Sequence, residues 1–73
     1  MKIKANTTYY AKHTPSGEEW LLLGINQERN KVCVAGWPPT IAALSDCTDL
    51  EEASELTEKD LAYRNSKFGT DWN

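Results

Sequence analysis

Long apolar runs, histidine, cysteine and glycine are all scarce in this sequence. No apolar run approaches the roughly 18–20 residues that a helix needs to cross a bilayer, and the start of the chain lacks the apolar core of a secretory signal. We therefore predict a protein of the cytoplasm that neither spans nor enters a membrane.

The shortage of metal-binding side chains argues against a metal site. Structural zinc takes four Cys or His ligands, whereas the chain offers only His13, Cys33 and Cys47. A calcium loop starting at Asp46 would need a glycine in its sixth position and a glutamate in its twelfth, and neither is there. We predict that the protein holds no metal or other cofactor, and that its two cysteines are reduced thiols.

The same shortages argue against catalysis. The four glycines are scattered and form no phosphate-binding loop or dinucleotide fingerprint. His13 lies in a turn rich in proline and glycine, where a solvated side chain is the usual state. Asp46 beside Cys47 disfavours the thiolate that a nucleophile requires. Because no nucleophile, base and orienting group converge, we predict that the protein is not an enzyme.

Basic residues are also too few to form a clear nucleic-acid site. The chain carries 8 Lys and Arg against 11 Asp and Glu, a net charge of −3. Binding to a phosphate backbone requires clustered Lys and Arg, so nucleic acid is not expected as the main partner. Residues 45–60 hold one base, Lys59, and most of the acids of the chain: Asp46, Asp49, Glu51, Glu52, Glu55, Glu58 and Asp60.

Aromatic side chains are what this chain of 73 residues does have, with three Trp, three Tyr and one Phe. This length corresponds to a single domain, residues 1–73, near the size at which one core barely offsets the loss of chain entropy. Small domains depend on disulfides, metals, oligomerisation or dense aromatic packing. The composition favours the last two, so a homodimer is one of the expectations.

The central feature is a predicted β-hairpin with strands at 19–26 and 31–37. Its connector ends in Asn30, which tolerates the left-handed conformation of a tight turn. Alternation of side chains along a strand puts apolar residues on both faces of each arm. In the first arm the two expected sets are Leu21, Leu23 and Ile25, and Trp20, Leu22 and Gly24. Such a sheet must bend into a small barrel, or a helix or a partner must cover its second face.

Segments on either side extend the sheet. Residues 7–12 are rich in β-branched and aromatic types and predict a strand, and Pro15 and Gly17 predict a turn between this strand and the hairpin. Pro38 and Pro39 cannot donate ladder hydrogen bonds, so they end the second arm in a rigid corner. Residues 40–52 are predicted as a short strand or extended segment, with helix and loop as open alternatives.

A C-terminal helix is the best marked element. Thr57 is the expected N-cap, Asp60 is the acid at the third position, and Leu56 and Leu61 match a hydrophobic staple. We predict a helix over about 58–67 that ends at a glycine, with an ion pair between Asp60 and Arg64. The predicted fold is α+β and mainly β: a small, strongly bent antiparallel sheet or SH3-like barrel of three to five strands, with this helix packed against it.

Exposed aromatics are the main clue to function. Trp37 is followed by Pro38 and Pro39, so a large aromatic ring stands beside a rigid corner. Binding interfaces are enriched in such aromatic anchors. The residues predicted to bind a partner are Trp37, Pro38, Pro39, Tyr9, Tyr10 and Trp72. The leading hypothesis is a small protein-interaction or accessory module, with a homodimer through the excess apolar sheet face as one form of it.

Two alternative hypotheses remain open. Exposed aromatics near lysines could stack single-stranded bases, as in other small barrels. The acidic run could instead imitate nucleic acid and occupy a basic protein, which requires the seven acids of residues 45–60 to lie on one face.

Overall fold

The computed structural model describes residues 2–72, and within them it shows a mainly β structure with one C-terminal helix. The elements, in chain order, are β1 (Thr7–His13), β2 (Glu18–Asn26), β3 (Lys31–Val34), β4 (Thr40–Ala43), a 3₁₀ turn (Leu44–Asp46), β5 (Cys47–Glu55) and α1 (Glu58–Phe68). The strands form one antiparallel sheet in the order β4-β3-β2-β1-β5. This confirms the predicted α+β class. No helix within these residues is long and apolar enough to cross a membrane.

Strand boundaries agree closely with the sequence prediction except after the hairpin. The second arm is predicted to run to residue 37, but β3 ends at Val34. Ala35 N still donates to Leu21 O at 2.8 Å, after which Gly36 and the two prolines leave the sheet. Residues 40–52 belong to two strands rather than to one extended segment, because the 3₁₀ turn at Leu44–Asp46 separates β4 from β5.

A β-bulge at Leu23 changes which residues share a face. Leu22 pairs with Val34, but Gly24 pairs with the preceding residue of β3, so β2 contains one extra residue here. Strict alternation, which groups Ile25 with Leu23, is therefore wrong beyond this point. Leu22 and Ile25 lie together in one apolar cluster, while Leu23 and Gly24 face the other side of the sheet.

Each face of the sheet has its own apolar cluster. The bent sheet encloses the first, the inner core, whose buried members are Tyr9, Ala11, Leu22, Ile25, Val32 and Val34. The helix and the C-terminal segment cover the second, the outer cluster, formed by Leu23, Cys33 and Trp72 with Ala35, Leu56 and Phe68 at its edge. The two solutions expected for a sheet with two apolar faces, bending and coverage by a helix, are thus both used.

The signals at the ends of α1 are confirmed. Thr57 is the N-cap, and its side-chain oxygen accepts a hydrogen bond from Asp60 N at 3.2 Å. Gly69 has a φ of 89° and donates from its backbone N to Asn65 O at 3.1 Å. A positive φ costs glycine little because it lacks a Cβ. The helix ends at Phe68, one residue beyond the prediction.

The predicted ion pair between Asp60 and Arg64 is wrong. Arg64 is 2% exposed, and its guanidinium lies between α1 and β2. Nη1 donates to Leu23 O at 2.9 Å, and Nη2 donates to Oδ1 of Asn6 at 3.1 Å and of Asn65 at 3.0 Å. Because a bulge leaves its extra residue outside the strand ladder, the guanidinium supplies the donor that the Leu23 carbonyl would otherwise lack.

Trp72 packs on the sheet where β2 has no side chain. A Cβ on Gly24 would lie 2.8 Å from Trp72 Cδ2 and 3.1 Å from Arg64 Cδ, so a larger residue would push both side chains away. Trp72 Nε1 also donates to Gly69 O at 3.0 Å, and Lys31 Nζ lies 4.8 Å from the centroid of the indole ring. The last aromatic of the chain is therefore part of the core.

The substitution Arg64→Met should lower the free energy of unfolding by about 2–3 kcal/mol. Methionine keeps the apolar stem but leaves the Leu23 carbonyl without its charged donor, and such a hydrogen bond contributes about 1.5–3 kcal/mol. Urea denaturation followed by tryptophan fluorescence measures the loss. Arg29→Met is the matched control, because Arg29 is exposed and its Nε lies 3.8 Å from Asp71, so a loss below about 0.5 kcal/mol is expected. Equal losses would contradict the role of Arg64.

The substitution Gly24→Ala should destabilise the protein by about 1–3 kcal/mol, because the added methyl group displaces the Trp72 ring. In the background of Trp72→Ala the methyl group has room, so the same substitution should cost much less. A double-mutant cycle measured by urea denaturation gives this coupling. Additive losses would show that Gly24 and Trp72 do not pack against each other.

Candidate functional site

The outer face of the sheet is only partly covered by α1 and the C-terminal segment. Tyr10 of β1 pairs with Leu21 of β2 and with Glu51 of β5, and Ala35 N donates to Leu21 O at 2.8 Å. Directly paired residues share a face of the sheet, so these four side chains form a row across the outer face. Tyr10 and Glu51 are exposed, and Leu21 and Ala35 are half-buried.

The corner after β3 stands at one end of this row. Trp37 is fully exposed, at 101%, and the Trp37–Pro38 peptide bond is cis. Between this corner and the first turns of α1 lies a groove of about 370 Å³. Its lining residues are Leu21, Leu23, Ala35, Gly36, Trp37, Pro39, Lys59, Asp60 and Tyr63. A second depression, of about 290 Å³, is bordered by Trp37, Pro38 and Tyr63.

These contacts define one continuous surface, the aromatic strip, formed by Tyr10, Leu21, Ala35, Trp37 and Tyr63. Tyr10 and Tyr63 are each 43% exposed. Neighbouring residues of a helix differ in direction by about 100°, so the burial of Arg64 turns Tyr63 to the edge of α1 beside the groove. The strip is therefore a product of how the helix is seated on the sheet.

The structure divides the six residues predicted to bind a partner. Three of them are exposed, namely Tyr10, Trp37 and Pro38, and Pro39 is half-buried in the lining of the groove. Tyr9 is 1% exposed, and its hydroxyl accepts a hydrogen bond from Lys4 N at 2.9 Å. Trp72 is 7% exposed. Because both rings are packed in the core, the prediction that Tyr9 and Trp72 lie on a binding surface is wrong.

The sequence prediction did not include Leu21 and Tyr63. The available signal for Tyr63 is its place at the edge of the apolar stripe of α1, where an aromatic ring can face either the core or solvent. Leu21 has no separate signal, because a covered and an uncovered leucine look alike in a strand with two apolar faces. The position of α1 on the sheet determines whether Leu21 is covered or partly exposed.

Charge differs between the two ends of the aromatic strip. A depression of about 290 Å³ beside Tyr10 is lined by Lys12, Gly17, Glu19, Asp49 and Glu51. Its three carboxylates and one ammonium give this end a net charge of −2. At the groove the charged lining residues are Lys59 and Asp60, whose charges balance. The strip is thus acidic at one end and neutral at the other.

The seven acids of residues 45–60 do not all lie on one surface. Glu51 faces the aromatic strip, whereas Glu52 lies on the other face of β5, because successive residues of a strand alternate. The Glu52 carboxylate is 3.2 Å from Lys4 Nζ, and Asp60 lines the groove. These residues do not form the single acidic face that imitation of nucleic acid requires.

His13 and Cys47 lie opposite each other on neighbouring strands, but their side chains form contacts with other residues. His13 stacks on Trp20 with ring centroids 3.6 Å apart, and its Nδ1 lies 2.7 Å from Ser16 Oγ. Cys47 pairs with His13 across the strands, but its thiol donates to Ala43 O at 3.7 Å. Within residues 2–72, no group of three or more His, Cys, Asp or Glu is placed to hold a metal ion.

Both free thiols are disfavoured as thiolates. Burial raises the pKa of Cys33 from 9.0 to about 11, against the opposing effect of the nearby Arg64 charge. Burial, and after it the charge of Asp46, raise the pKa of Cys47. Neither environment supports a nucleophile at neutral pH, because the thiolate is the reactive form.

The fold and this surface together define a small α+β protein with an exposed aromatic strip on one face of its sheet. Comparison with protein-family models, with curated proteins and with solved structures gives no match. A function therefore has to be argued from the chemistry of the strip itself.

The free energy of unfolding should fall by about 2–3 kcal/mol as the pH rises from below about 9 to above about 11. The pKa of Cys33 is about 11 in the folded protein and 9.0 without burial. As the pH rises, the unfolded state therefore loses this proton first. The stability that the protonated Cys33 thiol contributes is fully present below the unfolded-state pKa, and it is lost as the pH rises through the folded-state pKa. Urea denaturation of wild type and Cys33→Ala over this pH range isolates the effect from other titrating groups. A pH-independent difference between the two proteins would contradict the shift.

Proposed function

We propose that the protein is a small, non-enzymatic interaction module that binds a segment of a partner protein along the aromatic strip. The observation that carries the proposal is Trp37, whose ring is fully exposed, at 101%, beside an apolar groove. Tryptophan and tyrosine offer large contact areas at low conformational cost and are enriched at binding hot spots. Trp37 and Tyr63 are therefore the expected anchors.

The expected affinity follows from what Trp37 and its neighbours in the aromatic strip can contribute. A tryptophan side chain buries about 150–250 Å², so covering Trp37 contributes about 4–6 kcal/mol at about 25 cal/mol per Å². Association costs about 4–15 kcal/mol in lost freedom of motion, so Trp37 alone would not hold a partner. Contacts to Tyr10, Leu21 and Tyr63 must add to it, and a dissociation constant in the micromolar range is expected.

The strand order and the free thiols extend the proposal to the fold type and the cellular compartment. Four strands in a meander, followed by a 3₁₀ turn and a β5 that pairs with β1, suit an SH3-like barrel, although such a fold hosts many functions and specifies none. The free thiols of Cys33 and Cys47 suit a reducing compartment. A cytoplasmic location is therefore part of the proposal.

A second copy of the chain competes for the same surface. The predicted homodimer uses the excess apolar sheet face, and the aromatic strip is the part of that face that α1 leaves open. The net charge of −3 on each copy, with Glu19 and Glu51 beside Tyr10, opposes the approach of two like surfaces. The same carboxylates oppose single-stranded nucleic acid. We therefore favour a different protein as the partner.

Selection of binders from a random peptide library on the full chain tests the proposal. Selected peptides should lose at least about tenfold in affinity for Trp37→Ala and for Tyr63→Ala, because a hot-spot aromatic contributes about 2 kcal/mol or more. Isothermal titration calorimetry measures the affinities. Ile41→Ala is the matched control: Ile41 is 45% exposed on β4, outside the strip, and its loss should change affinity less than about twofold.

The outcomes separate the competing occupants. Peptides that bind Trp37→Ala as well as they bind Ile41→Ala would show that the aromatic strip is not the site. A library that yields no binder, together with a concentration-dependent mass in light scattering that Trp37→Ala abolishes, would replace the partner segment by a second copy of the chain.

A further inference from the structure

We propose that the partner segment is an extended, proline-containing peptide with Lys or Arg at one end. This inference rests on the proposed function, since it names the chemistry of the ligand that the aromatic strip takes. The basic end lies over Tyr10, and the proline end lies in the groove beside Trp37. Two independent properties of the strip carry the inference: its direction relative to the strands and its uneven charge.

The aromatic strip runs across the strands and not along a strand edge. Glu51, Tyr10, Leu21 and Ala35 come from, or directly follow, the neighbouring strands β5, β1, β2 and β3. The backbone groups between these strands already bond to one another, so a segment lying over the row meets side chains only. A β-strand ligand would leave its own buried N–H and C=O groups without partners. A polyproline II helix has no internal hydrogen bonds and keeps its backbone solvated.

The dimensions of the row fit such a helix. Neighbouring strands lie about 4.8 Å apart, so the row from Glu51 to Ala35 spans about 14 Å, which about five residues of polyproline II cross at about 3.1 Å each. The helix has three residues per turn, so its contacting side chains repeat every 9.3 Å or so. That repeat is close to two strand spacings, about 9.6 Å, so successive contact residues would meet alternate strands.

The groove itself favours proline over other apolar residues. Its lining combines the rings of Trp37 and Tyr63 with Pro39 and the two leucines Leu21 and Leu23. Proline has no backbone donor that would lose its water on entering this apolar space. Its backbone is also restricted before binding, which lowers the entropic cost of ordering the ligand.

The carboxylates at the other end specify the basic residues. The depression beside Tyr10 has a net charge of −2 from three carboxylates and one ammonium, while Lys59 and Asp60 cancel at the groove. A Lys or Arg side chain over Tyr10 would gain a cation–π contact with the ring and attraction to Glu19 and Glu51. A neutral or acidic end would gain neither, so charge also sets the orientation of the segment.

A set of synthetic peptides of about ten residues tests the inference by isothermal titration calorimetry on the full chain. The first peptide has a lysine cluster at one end and a run of prolines and leucines at the other. The second replaces the lysines by glutamates, and the third replaces the prolines by glycines and serines. We expect the first to bind at least about tenfold more tightly than either of the others, and its binding to weaken as salt is added.

Substitutions in the protein separate the contribution of charge from that of apolar contact. Glu19→Gln combined with Glu51→Gln should weaken binding of the lysine peptide about four- to twenty-five-fold, because exposed ion pairs each contribute a factor of about two to five. Both side chains are exposed, so the urea midpoint should not change. Glu28→Gln is the matched control: Glu28 is exposed in the turn between β2 and β3, and the change in affinity should be below about twofold.

Each result supports or overturns a defined part of the inference. Equal affinity for the lysine and glutamate peptides, with dependence on Trp37 retained, would overturn the basic end and leave the proposed function standing. Equal affinity for the proline and glycine–serine peptides would overturn the polyproline II assignment. Binding of the lysine peptide that is unchanged by Trp37→Ala would overturn both, because charge alone would then account for it. If none of these peptides binds while a library yields Trp37-dependent binders, only the inference fails.

Discussion

The hydrogen bond from the Arg64 guanidinium to the Leu23 carbonyl, at 2.9 Å, is the contact on which the outer face of this protein depends. It satisfies the backbone group that the bulge in β2 removes from the strand ladder, and it seats α1 over one end of the sheet. A buried charge is costly unless its donors are bonded, and here Nε and Nη2 also donate to the side-chain oxygens of Asn6 and Asn65. Trp72 then closes the space beside the same bulge.

The exposed aromatic strip is the other consequence of this arrangement. A helix of eleven residues anchored over Leu23 covers that end of the outer face. It leaves Tyr10 exposed and Leu21 half-buried in the lining of the groove. The same bulge that stabilises the helix against the sheet thus determines which apolar surface remains open, so stability and the candidate site share one structural cause.

Prediction from the sequence succeeded where the signal is local. Thr57 and Gly69 mark the ends of α1 because capping depends on hydrogen bonds within one turn of the chain. Prediction failed where the local structure depends on a contact with a residue distant in sequence. The bulge at Leu23 is invisible in the sequence, since its stabilising donor is Arg64, which lies far along the chain, and one extra residue reverses the face of every residue after it. For the same reason, alternation alone could not assign Ile25 to the inner core.

Local chemistry was sufficient to determine the class of fold, because apolar alternation, turn residues and helix caps act over a few residues. The tertiary structure decided which of the aromatics are exposed. Tyr9 and Tyr10 are adjacent and Trp37 and Trp72 are alike in chemistry, yet one of each pair is buried and the other is not. For Tyr9 and Tyr10 the outcome depends on which face of the sheet becomes the inner core. For Trp72 it depends on the packing of the C-terminal segment against the outer face. Both are contacts between residues distant in sequence, which no local pattern encodes.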